Sequence, residues 1–355
     1  WGYSEETKPM LNTSHGFVPW DDLHHVQVSK TNGEYDGRWA FGNANNTPRV
    51  ARIDLTTFRT AEIIELPNSG GNHSSPFITE NTEYVVAGTR FSVPPDDANG
   101  DVPINTYKQN FKGTISFISV AKENGAMDIA FQLQCPGVNF DLSRAGKGVS
   151  HGWFFFSMYN TEQANTLLEV KASQKDKDFI MAVNWKKAEE YIKAGKGRKQ
   201  SVKYAHNVYS DITHSATSTI KTEVTVLDVK DFKDLCYFFP CPKSPHGCDV
   251  SPTGEYIVGS GKLAALIPVF SFDKLQKAIA AKDYIGEFDG VPILKYESVL
   301  YGEVKKPGLG PLHTEFDNKG YAYTSMFVSS EIVKWNIKDL KVVDRVPTYY
   351  SVGHL

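Results

Sequence analysis

A histidine followed a few residues later by a turn and an apolar strand recurs four times in this chain of 355 residues. The recurrences begin at His24 with His25, at His73, at His246 and at His313. The turn follows the histidine by roughly five to eight residues, a spacing typical of repeat units. His354 follows one more apolar strand at the end of the sequence. If the repeats circle an axis, these imidazoles converge, and clustered imidazoles are typical metal ligands.

The stretches between the histidines read as short strands that alternate with turns. Such strands are expected at 51–55, 224–229, 267–272 and 332–337. One unit consists of a histidine, a turn, an apolar strand, an amphipathic strand, a tight corner and a further strand. Four-stranded units of about 40 to 50 residues are typical of β-propellers. The sequence therefore predicts an all-β propeller that spans 1–355 as one domain.

Net charge and the length of apolar runs argue against two classes of partner, nucleic acids and membranes. The formal net charge of −3 gives no indication of a nucleic-acid partner. No apolar run approaches the roughly 20 residues that cross a bilayer, so no membrane span is expected. The sequence begins with Trp1. We therefore expect either that a leader has been removed or that the sequence starts within the protein.

Local context favours a ligand role for several histidines. His73, His246 and His313 each lie close to glycine or proline, which fix a sharp chain path at a loop. His24 and His25 are adjacent, and adjacent side chains of a strand point to opposite faces. Both can be ligands only if the backbone is irregular at this point.

Two other metal sites are conceivable. Cys236, Cys241 and Cys248 flank His246, but their spacing differs from that of zinc knuckles, so buried thiols or one disulfide are the competing interpretation. The segment from Tyr159 to Glu162, with Asp176 and Asp178 a strand away, offers oxygen ligands of the kind that calcium prefers. The alternative there is a strand end followed by a solvated acidic loop.

The chain resembles the propeller domain of nitrous oxide reductase over nearly its whole length. The segments that carry the resemblance are Leu23-His24-His25, 35–39, 49–55, Lys243-Ser244-Pro245-His246-Gly247, 251–254, 261–263, 308–314, 320–325, 333–336 and Gly353-His354-Leu355. Gly71-Asn72-His73 with 84–94, and Ala172-Ser173-Gln174 ahead of Asp178, are most similar to the family branch exported through the general secretory route.

The resemblance implies a seven-bladed propeller that carries a sulfide-bridged tetranuclear copper cluster held by seven histidines. Six of those positions fall on His24, His25, His73, His246, His313 and His354. Tyr159, Glu162 and Asp178 match positions around a structural calcium. The implied activity is reduction of nitrous oxide to dinitrogen and water, the last step of denitrification, in the periplasm or otherwise outside the cytoplasm.

The resemblance also implies partners. These are a head-to-tail homodimer, a cytochrome c or similar electron donor, and a dinuclear copper centre in a C-terminal cupredoxin domain. Neither that domain nor the seventh histidine is in this sequence, so we expect the protein to continue beyond Leu355. Val26-Gln27 also stands where the family often has a proline and a further histidine.

Two alternatives stay open. A non-catalytic or inactive propeller fragment, incomplete in this sequence and with some blades lacking strands, could serve as a binding or structural platform. A propeller hydrolase with calcium at the channel mouth would need Asp, Glu and Asn at the blade entries, where this chain has histidine.

Overall fold

The computed structural model describes residues 23–95, 102–160, 178–210 and 212–355. Within these ranges the chain is almost entirely β-structure. It divides into two compact units, one with the described residues up to 137 together with 191–228, the other with those of 138–190 and 229–355. None of the helices in the described ranges combines the length and apolarity needed to cross a bilayer.

The first unit contains two antiparallel four-stranded blades. Blade 1 consists of β1 (Leu23–Thr31), β2 (Glu34–Ala44), β3 (Arg49–Asp54) and β4 (Arg59–Glu65). Blade 2 consists of β5 (Ser74–Ile78), β6 (Tyr84–Gly88), β7 (Gly113–Val120) and β8 (Met127–Cys135). The apolar run that the sequence analysis places directly after the turn forms the second strand of the blade, β6, in which every residue is buried.

A long hairpin joins the outer edges of these two blades. Its strands are β12 (Arg198–Tyr209) and β13 (Ala216–Asp228). β12 pairs antiparallel with β4 and β13 pairs parallel with β8, so that all ten strands form one continuous sheet. The hairpin satisfies backbone groups that an exposed blade edge would leave unpaired.

The second unit contains three more antiparallel blades. Blade 3 consists of β9 (Asn139–Ala145), β10 (Trp153–Asn160), β11 (Phe179–Asn184) and β14 (Cys236–Pro240). Blade 4 consists of β15 (Pro245–Val250), β16 (Tyr256–Gly261), β17 (Leu266–Ser271) and β20 (Leu300–Lys305). Blade 5 consists of β21 (Pro311–Phe316), β22 (Tyr321–Met326), β23 (Glu331–Asn336) and β24 (Lys341–Pro347).

A second hairpin extends blade 3, with β18 (Tyr284–Phe288) antiparallel to β19 (Val291–Leu294) and β19 parallel to β14. The predicted fold class, an all-β propeller, is confirmed. The described ranges hold five four-stranded blades. The total of seven remains what the resemblance implies.

Helices are few and short in the described ranges. The α-helices are α1 (Tyr107–Asn110), α2 (Trp185–Lys193), α3 (Phe272–Ala281) and α4 (Tyr296–Val299). Short 3-10 helices cover Ile104–Thr106, Gly148–Ser150 and Val229–Asp231. α3 begins where the Ser271 hydroxyl accepts a hydrogen bond from the Lys274 backbone N–H, the geometry of an N-cap.

The blades are held by apolar side chains on their facing strands. In the first unit a buried cluster includes Phe41, Ile64, Val85 and Val226. In the second unit Trp335 packs within a cluster formed by blades 4 and 5, and Phe155 packs within a cluster that includes α3. Full burial of one such side chain stabilises the fold by about 1.5 to 3 kcal/mol.

Each of the five blades in the described ranges carries a β-bulge near the start of its first strand, where two residues face one residue of the second strand. The bulged pairs and the residues opposite them are His24-His25 and Asn43, Ser75-Pro76 and Ala87, Asp141-Leu142 and Ser157, His246-Gly247 and Ser260, and Leu312-His313 and Ser325. The bulge is the irregularity that two adjacent ligands require. With two residues opposite one, His24 and His25 need not point to opposite faces of the strand.

Candidate metal centre

The first unit brings three histidines together. The ring centroids of His24 and His25 lie 4.5 Å apart, those of His24 and His73 lie 4.7 Å apart, and those of His25 and His73 lie 5.1 Å apart. One ring nitrogen from each histidine lies within 4.8 Å of the others. Among the described residues, these three form the one group of histidine, cysteine and acidic side chains close enough to share an ion by that spacing. We call them the first triad.

Backbone carbonyls orient the ring of His25. Its Nδ1 lies 3.0 Å from the carbonyl oxygen of His73 and 3.1 Å from that of Ser75. Because both neighbours can only accept, Nδ1 carries the hydrogen and the lone pair lies on Nε2. A histidine that ligates a metal through one nitrogen typically donates from the other in this way.

The second unit brings three more histidines together, and we call them the second triad. Nε2 of His246 lies 3.1 Å from Nε2 of His313, and the ring centroids of these residues are 4.9 Å apart. The ring centroid of His354 lies 4.5 Å from that of His313. Two nitrogens bound at about 2.0 Å to one tetrahedral metal lie about 3.3 Å apart, so the pair His246 and His313 has ligand spacing.

A carboxylate orients the ring of His246. Oδ2 of Asp141 lies 2.6 Å from Nδ1 of His246, and Nζ of Lys262 lies 3.7 Å from the same oxygen. The Asp141 side chain is almost completely buried. The geometry is that of a carboxylate–histidine–metal arrangement, in which the carboxylate fixes the tautomer and makes the imidazole a stronger donor.

A second carboxylate ties the strand of His246 to the strand of His313. Asp249 lies in β15, and its Oδ2 accepts a hydrogen bond of 2.7 Å from the backbone N–H of Thr314 in β21. Nε of Arg144 lies 2.9 Å from the other oxygen, Oδ1. Burial alone would lower the pKa of Arg144, but the carboxylates of Asp249 and Glu315 outweigh it and raise that pKa. Arg144 is therefore a permanent cation, and it contacts the carboxylate that ties the strands of His246 and His313 together.

The predicted calcium residues are only partly within the described structure. Glu162 lies outside the described residues, and so does the side chain of Tyr159. Met158 pairs with Phe179, which brings the backbone of Tyr159 next to Asp178 at the ends of β10 and β11. Oδ2 of Asp178 accepts a hydrogen bond of 2.9 Å from the backbone N–H of Ser244. The calcium site stays a prediction.

The four cysteines are free and buried. Burial raises the pKa of the thiols of Cys135, Cys241 and Cys248. The Cys248 thiol donates to the carbonyl oxygen of Phe155 at 3.2 Å. Zinc binds thiolate, so protonated thiols in an apolar core favour the interpretation of these cysteines as ordinary buried thiols.

Two histidines outside the repeated pattern of histidine, turn and strand, His206 and His151, make contacts typical of structural residues. Nε2 of His206 is within hydrogen-bonding distance of Glu62, which also pairs with the buried Arg52. His151 makes an edge-on contact with Trp185. Neither histidine belongs to a triad.

Sequence reasoning missed Asp141, Asn43, Ser157 and Ser325, which contact the triads. A signal for three of them is present in the second strands. The fifth residue of the apolar run, counted from its first residue, is Asn or Ser in Trp39–Asn43, Trp153–Ser157, Tyr256–Ser260 and Tyr321–Ser325. A small polar side chain at one fixed position of a buried strand indicates a repeated hydrogen bond. Asp141 has no comparable signal.

Comparison with known proteins bears on this site. The chain is 31% identical over 382 residues to the nitrous-oxide reductase of Ralstonia nicotianae, covering 100% of this chain and 53% of the relative. It is 30% identical over 345 residues to that of Pseudomonas fluorescens, and 29% identical over 369 residues to that of Stutzerimonas stutzeri. The resemblance to the nitrous-oxide reductases is confirmed. No protein-family model matches the chain.

The chain spans about half the length of the curated nitrous-oxide reductases that it matches. The similarity runs through both units and includes the segments of both triads. The donor sets suit copper, because imidazole is a common copper ligand and both triads have ring nitrogens already oriented by hydrogen bonds.

Proposed function

We propose that this chain is the copper-binding propeller part of a nitrous-oxide reductase. The protein reduces nitrous oxide to dinitrogen and water, the last step of denitrification. The proposal rests on one observation above all: six histidines from distant segments gather as two triads, in a chain similar along its whole length to nitrous-oxide reductases. A binding platform has no need of imidazoles held this closely, since protonated rings repel one another.

In this proposal His24, His25, His73, His246, His313 and His354 are ligands of a sulfide-bridged tetranuclear copper cluster, the CuZ cluster. Such a cluster, when bound, supplies a soft, electron-rich site that can deliver two electrons to a weak ligand. The tetranuclear form and the seventh ligand follow from the family and are part of the proposal.

The protein's own residues have the task of orientation. The carbonyls of His73 and Ser75 hold the Nδ1 hydrogen of His25, so that Nε2 presents its lone pair. Asp141 holds Nδ1 of His246 in the same way. Because hydrogen bonds already set the tautomers of His25 and His246, binding of the metal requires no proton movement at these two rings. Burial of His73 and His313 limits the access of water to their donor atoms.

Further parts of the proposal rest on the resemblance alone. The protein is exported to the periplasm or otherwise beyond the cytoplasm. It acts as a head-to-tail homodimer, and a cytochrome c or similar donor supplies electrons through a dinuclear copper centre in a C-terminal cupredoxin domain. Residues 1–355 form the propeller domain. Tyr159, Glu162 and Asp178 bind a structural calcium.

Copper analysis of the full-length protein tests the proposal. We expect several coppers and acid-labile sulfide per chain, with reduction of nitrous oxide by a chemical electron donor. His25→Ala and His246→Ala should each abolish activity and lower copper content. His214→Asn, in the turn between β12 and β13, is the matched control and should retain both. Activity in copper-free protein, or copper content unchanged in both ligand variants, would contradict the proposal.

A further inference from the structure

In the second strand of each described blade, one residue lies opposite the bulge, at the same position of the repeat. Its side chain is small and polar in four of the five blades. These residues are Asn43, Ser157, Ser260 and Ser325, and each is buried. Blade 2 has Ala87 at this place. A buried polar side chain at one repeated position raises the question of what it bonds.

In blade 1 the amide of Asn43 joins two ligand-bearing segments. Its Oδ1 accepts hydrogen bonds from the backbone N–H groups of His25 at 2.6 Å and His24 at 3.3 Å. Its Nδ2 donates to the carbonyl oxygen of Asn72, the residue before His73. One side chain therefore connects the backbones that carry all three histidines of the first triad.

The same connection recurs in blade 5 with serine. The hydroxyl of Ser325 accepts a hydrogen bond of 3.2 Å from the backbone N–H of His313. It donates one of 2.6 Å to the carbonyl oxygen of Gly353, the residue before His354. The acceptor and donor roles match those of Asn43, although the chemistry of the side chain differs.

Blade 3 repeats the connection toward blade 4. The hydroxyl of Ser157 accepts a hydrogen bond of 3.0 Å from the backbone N–H of Leu142, whose neighbour Asp141 orients His246. Ser157 also lies within hydrogen-bonding distance of the carbonyl oxygen of His246 itself. Within this unit the connection joins the residue that orients the imidazole to the residue that carries it.

Blade 4 provides the contrast. The Ser260 hydroxyl is buried and makes no hydrogen bond with the described residues. Here the two segments approach directly: a Cβ added to Gly247 would clash with the carbonyl oxygen of Leu312. The bond from Asp249 to Thr314 already ties the two strands together.

We propose that Asn43, Ser157 and Ser325 are positioning residues that fix the distance between successive histidine-bearing segments. Each accepts from the backbone of one bulge and donates to the backbone of the next segment. They act on the ligands through the main chain and do not contact the metal themselves. This inference rests on the proposed function in one respect, namely that the histidines are the ligands.

Two matched pairs of variants test it in the full-length protein. Ser325→Ala removes a bonded hydroxyl, whereas Ser260→Ala removes a hydroxyl from the equivalent position without removing a hydrogen bond. Asn43→Leu removes all three hydrogen bonds of the amide at similar volume, whereas Asn43→Ser introduces the hydroxyl that serves in blades 3 and 5. Hydrogen–deuterium exchange of the metal-free protein reports on the segments, and competition with a chromophoric chelator gives the affinity for Cu(I).

We expect Ser325→Ala to accelerate exchange around 351–355 and to lower Cu(I) affinity by about 10- to 100-fold, the usual loss when an outer partner of a metal site is removed. Ser260→Ala should leave both within about twofold, because it removes a hydroxyl that makes no hydrogen bond with the described residues. Asn43→Leu should accelerate exchange around 70–75, and Asn43→Ser should recover part of the affinity that Asn43→Leu loses.

Several outcomes would overturn the inference. Equal behaviour of Ser325→Ala and Ser260→Ala is one. Faster exchange with unchanged Cu(I) affinity is another, since it would make the hydrogen bonds structural only. If the unmodified protein binds no copper, the proposed function fails on its own. The exchange data then still test whether Ser325 connects the segments of His313 and His354. That connection is refuted if Ser325→Ala exchanges as the unmodified protein does.

Discussion

The two histidine triads are similar in ring spacing but differ in what surrounds them. Neutral groups support the first triad: the carbonyls of His73 and Ser75 orient His25, and the amide of Asn43 ties the backbone. In the second triad, carboxylates add to the neutral hydroxyls of Ser157 and Ser325, since Asp141 orients His246 and Asp249 ties the adjacent strands.

This difference matters for metal chemistry. A carboxylate partner raises the electron density that an imidazole can donate, and a carbonyl partner does so less strongly. The second triad is therefore the more electron-rich of the two, and it has a cation, Lys262, close to its carboxylate.

Replacing Asp141 should have the largest effect on the difference between the two triads. Asp141→Ala removes the carboxylate that orients His246, and we expect Cu(I) affinity to fall by about 10- to 100-fold. Asp141→Asn keeps an acceptor without charge, and it should make the second triad resemble the first, with a smaller loss. The measurement is Cu(I) titration against a competing chelator.

Asp317→Asn makes the same change of charge in the turn after β21, where Asp317 caps backbone N–H groups, and it serves as the control. Copper affinity of Asp141→Ala equal to that of Asp317→Asn would show that the carboxylate has no part in ligation.

Asp178 tests whether carboxylates also hold the chain ahead of the second triad. Its bond to the Ser244 N–H fixes a residue with φ of 53°, two positions before His246. Hydrogen bonds to a charged group contribute about 1.5 to 3 kcal/mol, and partial exposure of Asp178 places the effect at the lower end. Asp178→Ala should therefore lower the free energy of unfolding in urea by about 1 to 2 kcal/mol.

The same variant tests the calcium prediction. If Asp178 is a calcium ligand, calcium should raise the Tm of the unmodified protein and leave that of Asp178→Ala unchanged. Asp178→Asn keeps a side-chain acceptor for the Ser244 N–H and should retain most of the stability in calcium-free buffer. A calcium response that is identical in all three proteins would rule out Asp178 as a ligand.

Much of the fold and the choice of candidate histidines could be predicted from the sequence, because both depend on local patterns. Turn residues and alternating apolar residues determine strands, and the repeat of His246 or His313 before a turn indicated a shared location. The condition that adjacent His24 and His25 need an irregular backbone also follows from strand geometry, and the bulge opposite Asn43 meets it.

The supporting residues could not be predicted in the same way. Asp141 is separated from His246 by 105 positions, and the sequence alone does not say which aspartate meets which imidazole. The hairpin of β12 and β13 was also missed, because its pairing with β4 and β8 depends on the outer edges of two blades rather than on its own residues. Ser325 had a sequence signal, but that signal becomes readable only when the second strands are aligned.

The smallest expected effect sharpens the contrast between charged and neutral support. Asn72 lies directly before His73 in the chain, just as Ser244 lies shortly before His246. Nδ2 of Asn72 donates a hydrogen bond of 2.9 Å to the carbonyl oxygen of Arg49. A neutral hydrogen bond contributes about 0.5 to 1.5 kcal/mol, so Asn72→Ala should destabilise the protein less than Asp178→Ala does. In urea titrations at 1 M salt, screening should shrink the effect of Asp178→Ala, because its hydrogen bond is charge-assisted and partly exposed. The effect of Asn72→Ala should not change with salt. Equal salt dependence of the two variants would show that the charge of Asp178 adds nothing to its hydrogen bond with Ser244.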